Sequence, residues 1–272
     1  MRNRRYNTGK RGGVLPRRGL SLVELLVVVA ILAVLMSILL PALTAARGRM
    51  KTVKCACNLR TAGFDFQLFA EGQTSQGRGD SDTLLGKNRF RIEDFQDRLY
   101  RIDEFWQDPA VAAVTLEPSR DIMLCPAGRG PVTRYPNYPC GPSAIQPLDG
   151  VTIAANMRLY RAVTIFMGRP MLAPAASTAV RTDILHHPYV PLLMDVDAVE
   201  AVRAGREPFY IAPPLPGEIS PYADGRSWIP GRRHGRMVNV VFVGGHVLAS
   251  RAPEREPWDW AYQGETSKAL AP

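Results

Sequence analysis

The chain has 272 residues, 46% of them apolar, with four cysteines and a formal charge of +9. That is enough for one membrane helix and one globular domain with a core of its own. The charge is uneven: Arg2, Arg4, Arg5, Lys10, Arg11, Arg17 and Arg18 precede residue 20 with no acid among them, and setting those seven aside leaves +2. A nucleic-acid partner therefore loses most of its support. There is no nucleophile elbow, phosphate loop, dinucleotide fingerprint or His-Glu-x-x-His, so no enzymatic activity and no cofactor are expected.

Residues 1–19 form a polar, Gly-rich, basic leader. From Leu20 to Leu43 the sequence is apolar, and Glu24 is its sole formal charge. Those 24 residues exceed the roughly 20 that a helix needs to cross a bilayer core. A carboxylate in such a helix costs on the order of 2–3 kcal/mol to insert and calls for a partner. By the positive-inside rule the leader stays cytoplasmic and the C-terminal part lies outside. Pro41 removes one backbone bond and predicts a kink, after which helix formers resume and continue to about Ala70.

Beyond the membrane the helix carries two apolar stripes. Val53, Cys57, Thr61, Phe64 and Leu68 share one sector at 100° per residue, and Cys55, Leu59, Ala62, Phe66 and Phe69 share the opposite one. Two stripes fit a helix that packs its own domain on one side and neighbouring subunits on the other. A helix enclosed by its own domain would show the same pattern. Residues 71–82 read as a loop, 91–107 as a second, amphipathic helix, and 125–149 as an irregular Pro-, Gly- and Tyr-rich loop. Val151–Ala154 is a weak strand. Tyr189–Val196 is a better one, demoted at its start to an edge position by Pro191. Val238–Val243 and His246–Ala249 flank Gly244-Gly245, a hairpin signal. Residues 201–230 and 251–272 read as loops or a loose tail, and His186-His187-Pro188 as a loop leading into a strand.

Cys55, Cys57, Cys125 and Cys140 all follow the membrane segment, where disulfides are permitted. Cys55 and Cys57 point in different directions on one helix. A Cys125–Cys140 bridge ranks a little above one from the helix to Cys125. No Cys-x-x-Cys pair with a nearby His marks a zinc site. Asp195, His234 and His246 are of types that suit a transition metal. Far apart in sequence, each is assigned instead to a turn or cap, and no metal is expected.

Arg17-Arg18-Gly19-Leu20-Ser21-Leu22-Val23-Glu24 and the apolar run behind it resemble the prepilin signature of type IV pilins and type II secretion pseudopilins. The resemblance implies that a prepilin peptidase cuts between Gly19 and Leu20 and that Leu20, standing where Phe is commonest, is methylated. Glu24 becomes the fifth mature residue, and Pro41 falls where many type IV pilins kink. The expected role of Glu24 is to pair with the Leu20 amine of the next subunit and set assembly register. Cys55-Ala56-Cys57-Asn58-Leu59-Arg60 resembles a segment that follows the membrane helix in pseudopilin-like proteins. His234, nine residues, Gly244-Gly245-His246-Val247 resembles the His-x9-Asp-Gly pattern of one prepilin-like group, with Gly244 in place of Asp. Leu192–Asp195 resembles the strand that precedes that pattern.

The expected fold is α+β: a long N-terminal helix, transmembrane in its first half, packed on a small antiparallel sheet with long loops. The expected organisation is a cleaved leader (1–19), a membrane half-helix (20–43), an exported half-helix (44–72), a globular domain (73–250) and a tail (251–272). The resemblance implies a single-pass inner-membrane protein with its C-terminal domain periplasmic or extracellular. Its expected partners are the peptidase, other pilin or pseudopilin subunits, the inner-membrane assembly platform and lipid. The product would be a type II secretion pseudopilus or a type IV pilus-like filament. The alternative is a minor pilin, or an anchored exported binding protein that does not polymerise.

Overall fold

The computed structural model describes residues 21–75, 89–100, 113–135, 145–166, 169–177, 179–216 and 226–262. The chain divides into two compact units, Met1–Arg47 and Gly48–Pro272. Helix α1, Leu22–Ser75, supplies the described part of the first and opens the second.

In the first unit, α1 presents Leu, Val and Ile outward all round, and it is long and apolar enough to cross a membrane. Its few hydroxyls are satisfied within the helix. Ser37 Oγ donates to Val34 O at 2.7 Å and Thr44 Oγ1 to Pro41 O at 2.8 Å, as a segment facing lipid requires. Pro41 lies inside the helix, which continues past it.

In the second unit α1 is amphipathic. Cys55, Leu59, Ala62, Phe66 and Phe69 are buried, while Val53, Phe64 and Leu68 are 63%, 57% and 60% exposed. The buried face meets strand β1 (Arg89–Arg91) and helix α2 (Ile92–Leu99) through an aromatic cluster. Phe66 lies edge-on to Phe90 and Phe95 with centroids 5.6 and 5.1 Å apart, and Phe69 lies 5.6 Å from Phe90, geometries that add to plain area burial. Helix α2 is shorter than the 91–107 pattern predicts. Tyr100 caps it, donating its backbone N–H to Gln96 O, and residues 101–112 lie outside the described ones.

The centre is a five-stranded sheet in the order β10 (Tyr210–Ile211), β5 (Ile153–Asn156), β9 (Pro191–Asp195), β11 (Val238–Phe242), β12 (Val247–Ser250). All its pairs are antiparallel except β5–β10. Every residue of β5, β9 and β11 is buried, so these strands read as apolar runs and not as alternating patterns. Pro191 is placed in the central strand and not at a sheet edge. It opens β9 opposite Phe242, where the register shifts, and a strand's first residue at an irregular pairing tolerates a missing N–H.

The Gly-Gly hairpin forms with a four-residue link. Phe242 N–H donates to His246 O and Gly245 N–H to Phe242 O, with Gly245 at φ +78°. The turn packs against α1: a Cβ on Gly63 would come within 2.7 Å of Val241 Cγ2 and 3.2 Å of Gly245 Cα. Helix and hairpin therefore approach to backbone distance.

The stretch predicted as an irregular loop contains strands β3 (Val132–Arg134) and β4 (Ile145–Gln146); β3 pairs with both β2 (Val114–Leu116) and β4 in a three-stranded sheet. Further on, β6 (Arg161–Phe166) pairs with β7 (Arg169–Ser177), and β8 (Ala179–Arg181) pairs with β1. A short helix α3 (Met157–Tyr160) follows β5. A second, α4 (Ala198–Arg203), runs into the start of the 201–230 region, which also holds β10, and Asp197 caps it by accepting from Glu200 N–H. The tail is not loose as far as residue 262. Trp260 is buried and donates Nε1–H to Pro253 O at 3.0 Å, and Trp258 packs edge-on against Phe242.

Candidate functional site

The start of α1 is built by Ser21 and Glu24. Ser21 N–H donates to Glu24 Oε2 at 2.8 Å, and Glu24 N–H donates to Ser21 Oγ at 3.2 Å. This reciprocal capping box satisfies two donors that a helix start otherwise leaves free. Glu24 thus has a partner within its own chain. Gly19 and Leu20 lie outside the described residues.

A second feature is the uncovered face of α1 in the globular unit. Val53, Cys57, Thr61, Phe64 and Leu68 are all exposed, opposite the buried stripe. Beside them a groove of about 510 Å³ runs between α1 and the β11–β12 turn, lined by Val53, Cys57, Phe64, Gly245 and Val247.

The third feature is wholly internal. Cys55 on α1, Cys125 in the loop after β2, Asp195 at the end of β9 and His234 before β11 converge, and their donor atoms all lie within 4.8 Å of one another. Cys55 Sγ–H donates to Asp195 Oδ1 at 3.5 Å, Cys125 Sγ lies 3.1 Å from His234 Nε2, and His234 Nε2 lies 4.0 Å from Asp195 Oδ2. An outer ring holds these groups. Asn239 N–H donates to Asp195 Oδ2 at 2.9 Å and Arg233 to Oδ1 at 3.1 Å. Arg233 also donates to Val196 O and Thr152 O. Ala127 N–H donates to Cys125 Sγ at 3.4 Å. His234 Nδ1 lies 3.2 Å from Thr52 Oγ1, whose hydroxyl also reaches Gly48 O, which leaves Nε2 facing the sulfur.

The electrostatics follow from burial and proximity. The hydrogen bond between the two cysteines, followed by burial, pushes the Cys55 thiol up. The same hydrogen bond pulls Cys125 below the usual thiol range against burial, helped by His234. Burial opposes the charged form of His234, but Cys125 and Asp195 outweigh it and raise its pKa. Burial raises the Asp195 carboxyl, against the pull of Arg233.

Two of the three residues weighed together from the sequence, Asp195 and His234, therefore meet. His246 does not join them; it stacks on Phe242 with ring centroids 4.6 Å apart. Gly244 sits where a Cβ would come within 2.9 Å of Pro188 Cβ, so close packing accounts for Gly at this position. Cys125 faces His234 and Cys55, and Cys140, its expected disulfide partner, lies outside the described residues. Cys57 is a free, exposed thiol.

Residues 16–40 match the family described as the prokaryotic N-terminal methylation motif. No curated protein and no solved structure matches the chain. The match covers the junction around Gly19 and most of the apolar segment behind it, and it supports a prepilin-type protein, type IV pilin-like or pseudopilin-like. Its N-terminal helix fits a single-pass membrane anchor.

Proposed function

We propose that the protein is a structural subunit of a type II secretion pseudopilus or type IV pilus-like filament. Prepilin peptidase cuts it between Gly19 and Leu20, and Leu20 is methylated. Residues 20–43 hold it in the inner membrane with the leader cytoplasmic and the globular domain outside. An assembly platform then adds it to other pilin-like subunits. The protein is a substrate of the peptidase and not itself an enzyme.

The observation that carries this reading is the uncovered stripe of α1. A helix already seated on its domain through one apolar face keeps Val53, Phe64 and Leu68 more than half exposed on the opposite face. Exposed apolar surface of this kind is covered by a partner in an assembled state, and a second copy of the same helix is the partner that a processed prepilin meets.

A photo-crosslinking residue placed at position 64 is expected to give an intermolecular ladder in cells that hold the assembly machinery. The same residue at the buried position 66 is expected to give only intramolecular product. The mature chain from those cells should begin at methylated Leu20 by mass spectrometry. A processed chain with no intermolecular product from position 64 would leave a lone anchored domain. A chain that keeps Met1, or is cut elsewhere, would overturn the processing itself.

A further inference from the structure

We infer that Cys55, Cys125, Asp195 and His234 form a tetrahedral site for a borderline-soft divalent ion of the zinc type inside the globular domain. A tetrahedron with metal–sulfur bonds of about 2.3 Å and metal–nitrogen or metal–oxygen bonds of about 2.1 Å has edges of roughly 3.4–3.8 Å. The three measured separations, 3.1, 3.5 and 4.0 Å, bracket that range. The remaining pairs stay within 4.8 Å. Movements of up to about 1 Å, the longest separations closing the most, bring all four donors onto one centre.

The donor set selects the ion. Two thiolates, an imidazole and one carboxylate oxygen suit zinc, whereas calcium and magnesium take oxygen ligands. The supporting ring is of the kind that metal ligands require. Thr52 engages Nδ1 of His234, so Nε2 is the nitrogen left to the metal. Asn239 N–H and Arg233 fix the carboxylate while leaving lone pairs for the metal. Arg233 does not repel the ion from the site as a whole. Two thiolates and a carboxylate around a divalent ion leave one negative charge, and the guanidinium neutralises it. Occupancy is balanced by proton release: the Cys55 thiol gives up one proton and the Cys125–His234 pair another, with no redox change.

The four ligands come from α1, the loop after β2, the end of β9 and the segment before β11. A bound ion would tie the helix to the central sheet from within. Assembly of a filament is not needed for this, so the site stands or falls independently of the proposed function.

The test uses the full-length protein in detergent. Metal analysis of the protein as isolated should find zinc in stoichiometric amount. After chelation, Co²⁺ should be taken up with the visible bands of a tetrahedral ion and thiolate charge transfer. Cys57→Ser, on the exposed face, should leave both signals unchanged, and Cys125→Ser should abolish the charge-transfer band. Thr52→Val keeps every ligand and should weaken Co²⁺ affinity by about 10–100-fold. Two results would overturn the site. One is no zinc as isolated and no Co²⁺ uptake by the wild type. The other is alkylation under denaturing, non-reducing conditions that finds Cys55 and Cys125 joined in a disulfide.

Discussion

Glu24→Gln is expected to leave α1 intact and to exclude the chain from filaments, while Glu24→Ala loses helix start and assembly together. The carboxylate has two separable roles. Within its own chain it closes the box with Ser21, and Gln serves at that position almost as well as Glu. Loss of the box in the Ala variant costs about 1 kcal/mol, felt as fraying of the first turn. In the proposed assembly the carboxylate also neutralises the amine at Leu20 of an adjacent copy, a task that Gln cannot perform. An unpaired charge at bilayer depth costs about 2.5–3.5 kcal/mol on insertion scales, or about two orders of magnitude in incorporation. The measurement is co-expression of variant and wild type, with the variant's share of crosslinked filament compared with its share of the membrane pool. A Gln variant that enters as well as wild type would reduce Glu24 to a helix cap and end its role in register.

The sequence makes the helix, its two stripes and the C-terminal hairpin legible because each rests on neighbours within a few residues. Counting at 100° per residue separates Cys55, Leu59, Ala62, Phe66 and Phe69, all buried, from Val53, Phe64 and Leu68, all exposed. The same counting cannot say which stripe turns inward, since both are apolar. What escapes is non-local. Strand β1 is three residues long and pairs with β8 some ninety positions later, so neither segment carries a signal of its own. Pro191 argues against a central strand until the irregular pairing with Phe242 is seen. The buried cluster has no spacing signature because its members come from four elements, with Cys55 and Asp195 140 positions apart. The clue present in the sequence is chemical and partial: Asp195 is an ionisable residue ending the apolar run Leu192-Leu193-Met194. Only the sheet order, which sets β9 beside β11, brings the carboxylate and the imidazole within reach of the thiols.

Asp195→Ala should be the most destabilising single change in the globular domain, costing about 3–5 kcal/mol. Asp195 is fully buried at the end of the central strand, where it accepts from Arg233, Cys55 and the Asn239 amide. Truncation removes the carboxylate from the Arg233 guanidinium, leaving it two carbonyl partners, and it orphans the N–H of Asn239 inside the sheet. Set against the roughly 5–15 kcal/mol that holds a typical domain, such a loss removes a large share of the margin. Asp195→Asn keeps the shape and one acceptor but turns an amide N–H₂ toward a donor, so an intermediate loss is expected. Asp195→Leu combined with Arg233→Met removes both charges and should recover much of what the Ala variant loses, since a buried ion pair replaced by apolar side chains of similar volume is often close to neutral. Thermal unfolding of the full-length proteins in detergent and excess chelator isolates the ion pair from any bound metal. If the Ala variant melts with the wild type under those conditions, the carboxylate is not what keeps Arg233 inside the domain. If the double variant melts no higher than the Ala variant, the loss comes from backbone donors and not from the stranded charge.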